Sequence, residues 1–204
     1  MRDLIYVPII HTEADLGSMA SSFRQAYTHQ FSESHYNAHV TSIDHMWEGL
    51  TRTVQELNVI WTSTRLYQDG LPVCGRELEI VTELANSGSK NHLLLRSLIQ
   101  NGAMLEGTED KELLLKEYHF IQKIMTAENP FIKRKRSEEY KQHSATLLQQ
   151  RDRFIANRID ATLQQSETGL LFMGMLHKVD HYLAKDIHVN FLIHRLPFDK
   201  MVKV

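Results

Sequence analysis

The sequence predicts an α/β fold, a mainly parallel sheet covered by helices, in a single domain over residues 1–204. Three observations carry that reading. Short apolar, β-branched runs recur along the chain, the pattern of strands buried on both faces. Stretches with apolar residues at helical spacing separate them, the alternation of parallel strands with crossover helices. A chain of 204 residues, 42% hydrophobic and 24% charged, builds one substantial core, and no repeat, linker or low-complexity segment divides it.

Leu4 to Ile10 is the first strand, and Pro8, which lacks a ladder donor, points to a strand end, an edge or a bulge. This run is too short to span a bilayer, and with Pro8 inside it and His11 and Glu13 directly after, it makes a poor signal peptide. Met19, Phe23 and Tyr27 then recur at helical spacing, and a second helix runs from about Asn37 to Leu57. Val59 to Tyr67 reads as a strand rich in β-branched and aromatic residues, stopped by Asp69-Gly70 and Leu71-Pro72. Glu77–Leu84 and Leu93–Ile99 read as helices that end at Gly88 and at Asn101-Gly102.

Ala103–Leu105 is a short strand, and Thr108 is placed as the N-cap of a helix with Glu109 and Asp110 in its first turn. That helix fades before Asn129-Pro130, and the basic run Lys133–Arg136 reads as a solvated loop. A long helix spans roughly Ser137 to Gln165, with Leu148, Ile155, Ile159 and Leu163 on one side and Arg151, Arg153 and Arg158 on its exposed face. Leu170–Met173 is a buried strand, His177–Leu183 a short helix and Ile187–Ile193 a last strand.

A net charge of -2 argues against a nucleic-acid partner, since phosphate binding needs a surplus of Lys and Arg on one face. The single cysteine, Cys74, forms no internal disulfide, and the chain reads as cytoplasmic, with no membrane contact expected. A homo-oligomer stays among the expectations. Histidine is the compositional oddity, twelve of 204, but the group His29, His35, His39 and His45 lacks tight ligand spacing. No P-loop, G-x-G-x-x-G, G-x-S-x-G, H-E-x-x-H or C-x-x-C occurs.

Ligands of open parallel sheets bind beyond the carboxyl ends of the strands. His11 closes the first strand, Asp69 follows the second, Glu106 and Glu109 follow the third, and Gly174 and His177 follow the fourth. Two imidazoles and two or three carboxylates on one rim suit either acid–base chemistry or a divalent ion such as zinc or manganese, held by His11, His177, Asp69 and Glu109. Arg151 or Arg158 would reach an anionic group.

Three segments together resemble the TraB/PrgY–Tiki superfamily, with erythromycin-esterase-like and ChaN-like proteins as wider relatives: Tyr6 to Gly17, Arg151 to Ile159, and Gly169 to His177. Gly174-Met-Leu-His177 matches the G-x-x-H motif that follows a late strand, whereas Pro8 stands where the first such motif has glycine. The resemblance covers the two ends of the chain and hardly touches the middle. It implies an α/β fold with His11 and His177 facing one cleft, which in some members is a metal-dependent hydrolase or protease site. The expectation is a hydrolase acting on a small molecule or peptide, with His11 and His177 as ligands or acid–base groups, Glu109 or Asp69 as a further ligand or base, and Arg151 or Arg158 stabilising negative charge. The alternatives are metal-free acid–base catalysis by the same histidines, and a non-catalytic small-ligand-binding or signalling module on the same fold.

Overall fold

A computed structural model describes residues 1–12, 14–15 and 20–194, with the side chains of residues 22, 23, 26 and 30 set aside. Met19, the Phe23 side chain, Glu13 and Gly17 therefore lie outside the described residues. The chain runs β1 (Arg2–Ile9), α1 (Ala20–Phe31), α2 (Glu33–Gln55), β2 (Thr64–Gln68), α3 (Glu77–Asn86), α4 (Lys90–Gln100), β3 (Met104–Glu106), α5 (Lys111–Met125), α6 (Pro130–Thr162), β4 (Thr168–Gly174) and β5 (Ile187–Phe191). Short 3-10 turns at Trp61–Ser63 and Val179–Tyr182 precede β2 and β5.

The described strands form one five-stranded sheet, order β3-β2-β4-β1-β5, and every pairing is parallel. Alternate side chains leave opposite faces of each strand, so the sheet has two cores. Val7, Ile9, Leu66, Leu170 and Phe172 pack with Ile43, Trp47 and Leu50 of α2 and Leu94, Leu95 and Leu98 of α4. Leu4, Tyr6, Tyr67, Leu171 and Met173 pack with Ile155 and Ile159 of α6 and with Val179. The connection leaving β1 thus runs on one face and that leaving β4 on the other, and the crevice between neighbouring β1 and β4 is a topological switch point.

Pro8 is explained by the ladder. Arg2 N donates to Asp186 O and Tyr6 O accepts from Leu192 N, so even-numbered residues of β1 face β5, whereas Asp3 N donates towards β4 at Glu167 O. The β1–β5 register ends at Tyr6 opposite Phe191. Pro8 therefore turns its donor-less nitrogen to the β5 side just past the last registered pair, where the β1–β5 ladder ends.

Four local readings of the sequence are corrected. Asp110, not Thr108, caps α5, accepting from Leu113 N at 2.9 Å. Thr108 instead accepts from Gln68 N at 2.8 Å, tying β2 to the segment after β3 and leaving Glu109 before the helix rather than in its first turn. Asn129-Pro130 begins a helix instead of breaking one: Asn129 Oδ1 accepts from Ile132 N at 3.0 Å and proline at the first turn needs no donor. Lys133–Arg136 is consequently helical rather than a loop. Arg151 is also not on an exposed face; it is buried with Leu147, Asp152, Ile155, Ala156 and Ile159.

At 33 residues α6 is about 50 Å long, against about 23 Å for the seven residues of β4. Its first half therefore overhangs the carboxyl edge of the sheet, braced by α5: the Phe120 ring lies 5.8 Å from that of Tyr140 and 5.5 Å from that of His143. The overhang walls the crevice. No described helix is long and apolar enough to cross a membrane.

Candidate functional site

The adjacent carboxyl ends of β1, β4 and β2 bring His11, His177 and Asp69 together, and Asp69 is the pivot. Its backbone nitrogen continues the sheet by donating to Phe172 O at 2.9 Å. Its Oδ2 accepts from Gly174 N at 2.9 Å and faces His11 Nε2 at 3.0 Å; its Oδ1 accepts from Arg151 Nη2 at 2.9 Å and lies 3.7 Å from His177 Nε2. A Cβ on residue 174 would sit 2.8 Å from Asp69 Oδ2 and 3.6 Å from His11 Nε2, so glycine is required for the close approach. That is the physical content of the glycine in Gly174-x-x-His177. Burial opposes ionisation of Asp69, but the His11 hydrogen bond and the charges of His11, His177 and Arg151 outweigh it and hold the carboxyl well below the usual range.

An ionised Asp69 fixes the tautomer of His11. Nε2–H donates to Asp69, which leaves Nδ1 as a lone-pair acceptor with no hydrogen-bond partner among the described residues, on a side chain 37% exposed. His177 is the converse. Its side chain is only 5% exposed, and its Nδ1–H donates to Asp152 Oδ1 at 2.6 Å while Asp152 Oδ2 accepts from Lys178 N at 3.0 Å. Its Nε2 then looks at Asp69 Oδ1, a contact that favours the imidazolium. Burial disfavours the charged form of both histidines, but Asp69 for His11, and Asp152 with Asp69 for His177, raise both above the ordinary value.

Arg151 sits beneath this pair with four of its five N–H donors committed to carboxylates. Nε donates to Glu109 Oε2 at 2.6 Å, Nη2 to Glu109 Oε1 at 2.5 Å and to Asp69, and Nη1 to Glu117. Glu109 has no exposed surface, and its Oε1 also accepts from Gly70 N at 2.9 Å. Burial pushes the Glu109 carboxyl up, with Arg151 pulling against it.

The donor set bears directly on a metal. Asp69, Glu109 and His177 offer ligand atoms within 4.8 Å of one another. The Arg151 guanidinium already bridges the two carboxylates and takes both oxygens of Glu109, so Glu109 does not fit a divalent ion while Arg151 is in place.

Of the residues singled out in the sequence, His11, Asp69, Glu109, Arg151 and His177 meet here. Arg158 and Glu106 do not: Arg158 binds Gly107 O at 3.1 Å and Glu106 at 3.2 Å, and Glu106 also pairs with Arg65. Sequence reasoning missed Asp152 and Glu117, and it missed Asp15. Asp152 had a signal, because it is four residues after Leu148 and three before Ile155, on the apolar side of the helix.

Asp15 fastens the loop that carries His11. Its Oδ2 accepts from Thr12 N at 2.6 Å and from Thr12 Oγ1 at 2.9 Å. Its Oδ1 accepts from Ser89 Oγ and lies 3.2 Å from His92 Nδ1, at the buried N-terminus of α4. Burial resists the charge on Asp15, yet these donors hold its carboxyl below the usual range.

Above the polar floor lies an open cavity of about 580 Å³. His11, Asp69, Glu117, Arg151 and His177 line its base, and Leu114, Ile121, Leu148, Met175 and Leu176 its walls. No family model, no curated protein and no solved structure matches the chain. The class of protein defined here is therefore that of the fold and site alone, a parallel α/β domain with a His–Asp–His cluster at its switch point.

Proposed function

We propose that the protein is a hydrolase that works by general acid–base chemistry in this cleft. The observation that carries the reading is the pair of oppositely prepared imidazoles on one carboxylate: His11 with a free Nδ1 lone pair, His177 with Nδ1 anchored on Asp152. In this scheme His11 Nδ1 takes a proton from water as its oxygen adds to the substrate's acyl carbon. The bond to the leaving group then breaks, and His177 Nε2 supplies the proton the leaving atom needs. The proton on His11 passes back through solvent to His177, so the sum is water added across one bond. Asp69 orients His11 and stabilises its charged form, as a buried carboxylate does for a catalytic histidine. Arg151 balances the buried carboxylates that hold the floor in place. The resemblance to the TraB/PrgY–Tiki superfamily, through Gly174-x-x-His177 and the Arg151 helix, supports the same class.

The test is hydrolysis of a panel of neutral esters, amides and lactones by the full chain. Each of His11→Ala and His177→Ala is expected to lower kcat/KM about 100-fold or more. Full activity in the double variant would refute the reading. Dialysis against a chelator, followed by zinc or manganese, separates the metal-assisted version: activity lost and then restored would show that an ion takes part, with His11, His177 and Asp69 as the residues that would hold it.

A further inference from the structure

The two halves of the cleft differ in kind, and together they restrict the substrate. On the reading that this cleft is where the substrate reacts, we infer that it takes molecules with an apolar body and a neutral or cationic reacting end, and rejects anions. The polar floor gathers the carboxylates of Asp69, Glu109, Glu117 and Asp152 around one permanent cation, Arg151. Protonation of one histidine leaves the floor net negative. Arg151 is buried, and Asp69, Glu109 and Glu117 take four of its five N–H donors and outnumber its charge, so it offers an incoming anion little. A carboxylate or phosphate entering here loses its hydration and meets a net like charge; a neutral carbonyl meets no such penalty, and an ammonium meets a net opposite charge.

The walls supply the other half of the recognition. Leu114 and Ile121 come from α5, Leu148 from α6, and Met175 and Leu176 from the turn between Gly174 and His177. Leu176 is 79% exposed and Met175 is 45% exposed, immediately beside the buried imidazole of His177. Apolar side chains left open on the rim of a charged floor gain by covering an alkyl or aryl group. The ligand is therefore a small amphiphile, with its apolar body along α5 and α6 and its reacting bond over His11 and Asp69.

Calorimetric titration of the full chain with three non-hydrolysable probes tests this directly: octyltrimethylammonium, octanoate and tetramethylammonium. The expected result is one octyltrimethylammonium per chain, bound at least tenfold more tightly than either of the others. Glu117→Gln should narrow the preference for cation over anion, and Ile121→Ser should weaken octyltrimethylammonium severalfold. Octanoate binding as tightly as octyltrimethylammonium, or tetramethylammonium doing so, overturns the inference on the unmodified protein alone. Probe binding without hydrolysis of any ester supports this inference and removes the catalytic reading. Hydrolysis of short neutral esters by a chain that binds no probe does the reverse.

Discussion

Gly174→Ala tests the construction of the floor, because the added methyl has nowhere to go. Residue 174 ends β4 and is not among the glycines of positive φ, so alanine costs nothing in backbone strain. Its Cβ would lie 2.8 Å from Asp69 Oδ2. Restoring ordinary contact at 3.4 Å displaces that oxygen by about 0.6 Å, nearly at right angles to its 3.0 Å bond to His11, which lengthens to about 3.2 Å and loses its alignment. Asp69 has no easy escape, since Arg151 Nη2 holds its other oxygen at 2.9 Å.

Overpacking and the weakening of a charged hydrogen bond together cost about 1–3 kcal/mol. His11 is raised in the folded protein, so its share of stability is present below about pH 6.5 and is lost as pH rises through the folded value. The deficit of the variant should therefore be larger near about pH 5.5 than near about pH 9. Urea unfolding at the two pH values and an NMR titration of the His11 ring measure both quantities. His11 should titrate lower than in the parent, because burial persists while its partner has moved. An unchanged midpoint of unfolding together with an unchanged His11 titration would refute the whole account of residue 174.

Three further outcomes are expected. Arg151→Met leaves Asp69, Glu109 and Glu117 without their cation, and should cost about 3–5 kcal/mol near neutral pH in urea unfolding. Its deficit should shrink as falling pH protonates the carboxylates; a deficit independent of pH would speak against the pairing. Asp152→Asn should lower the His177 titration and destabilise most below about pH 6.5, where the wild-type imidazolium bond is fully formed, with less effect as pH rises through the raised folded value. Asp15→Ala should cost about 1–3 kcal/mol and broaden the His11 NMR signals by freeing its loop, while His177 is unaffected; equal broadening of both would deny the loop-fastening role.

The parts of the fold legible in the sequence are those decided locally. Leu4–Ile10 and Leu170–Met173 read as strands because both faces of β1 and β4 carry core, and burial on both sides leaves an unbroken apolar run. The parallel class followed from the alternation with helices. The place of β4 between β1 and β2 did not, because it depends on pairings such as Val7 with Phe172, across the length of the chain. Asn129-Pro130 was misread for a different reason. The dipeptide is compatible with a break and with a helix start, and the deciding hydrogen bond to Ile132 N exists only once the helix forms.

The site divides along the same line. His11, Asp69 and His177 were visible because strand ends converge by topology, so a residue just past an apolar run is placed by the fold itself. Arg151 and Asp152 are placed by the rotation of a helix, and a charged residue in a helix is ordinarily taken for a solvated one. The stripe set by Leu147, Ile155 and Ile159 puts both of them towards the sheet, at its carboxyl edge. That placement follows from geometry: α6 must turn an apolar side to Leu171 and Met173, and where the strands run out the same side meets Asp69 and His177 instead of leucine. Charges on the apolar side of a helix that overruns its sheet are thus the counterpart of polar residues at strand ends.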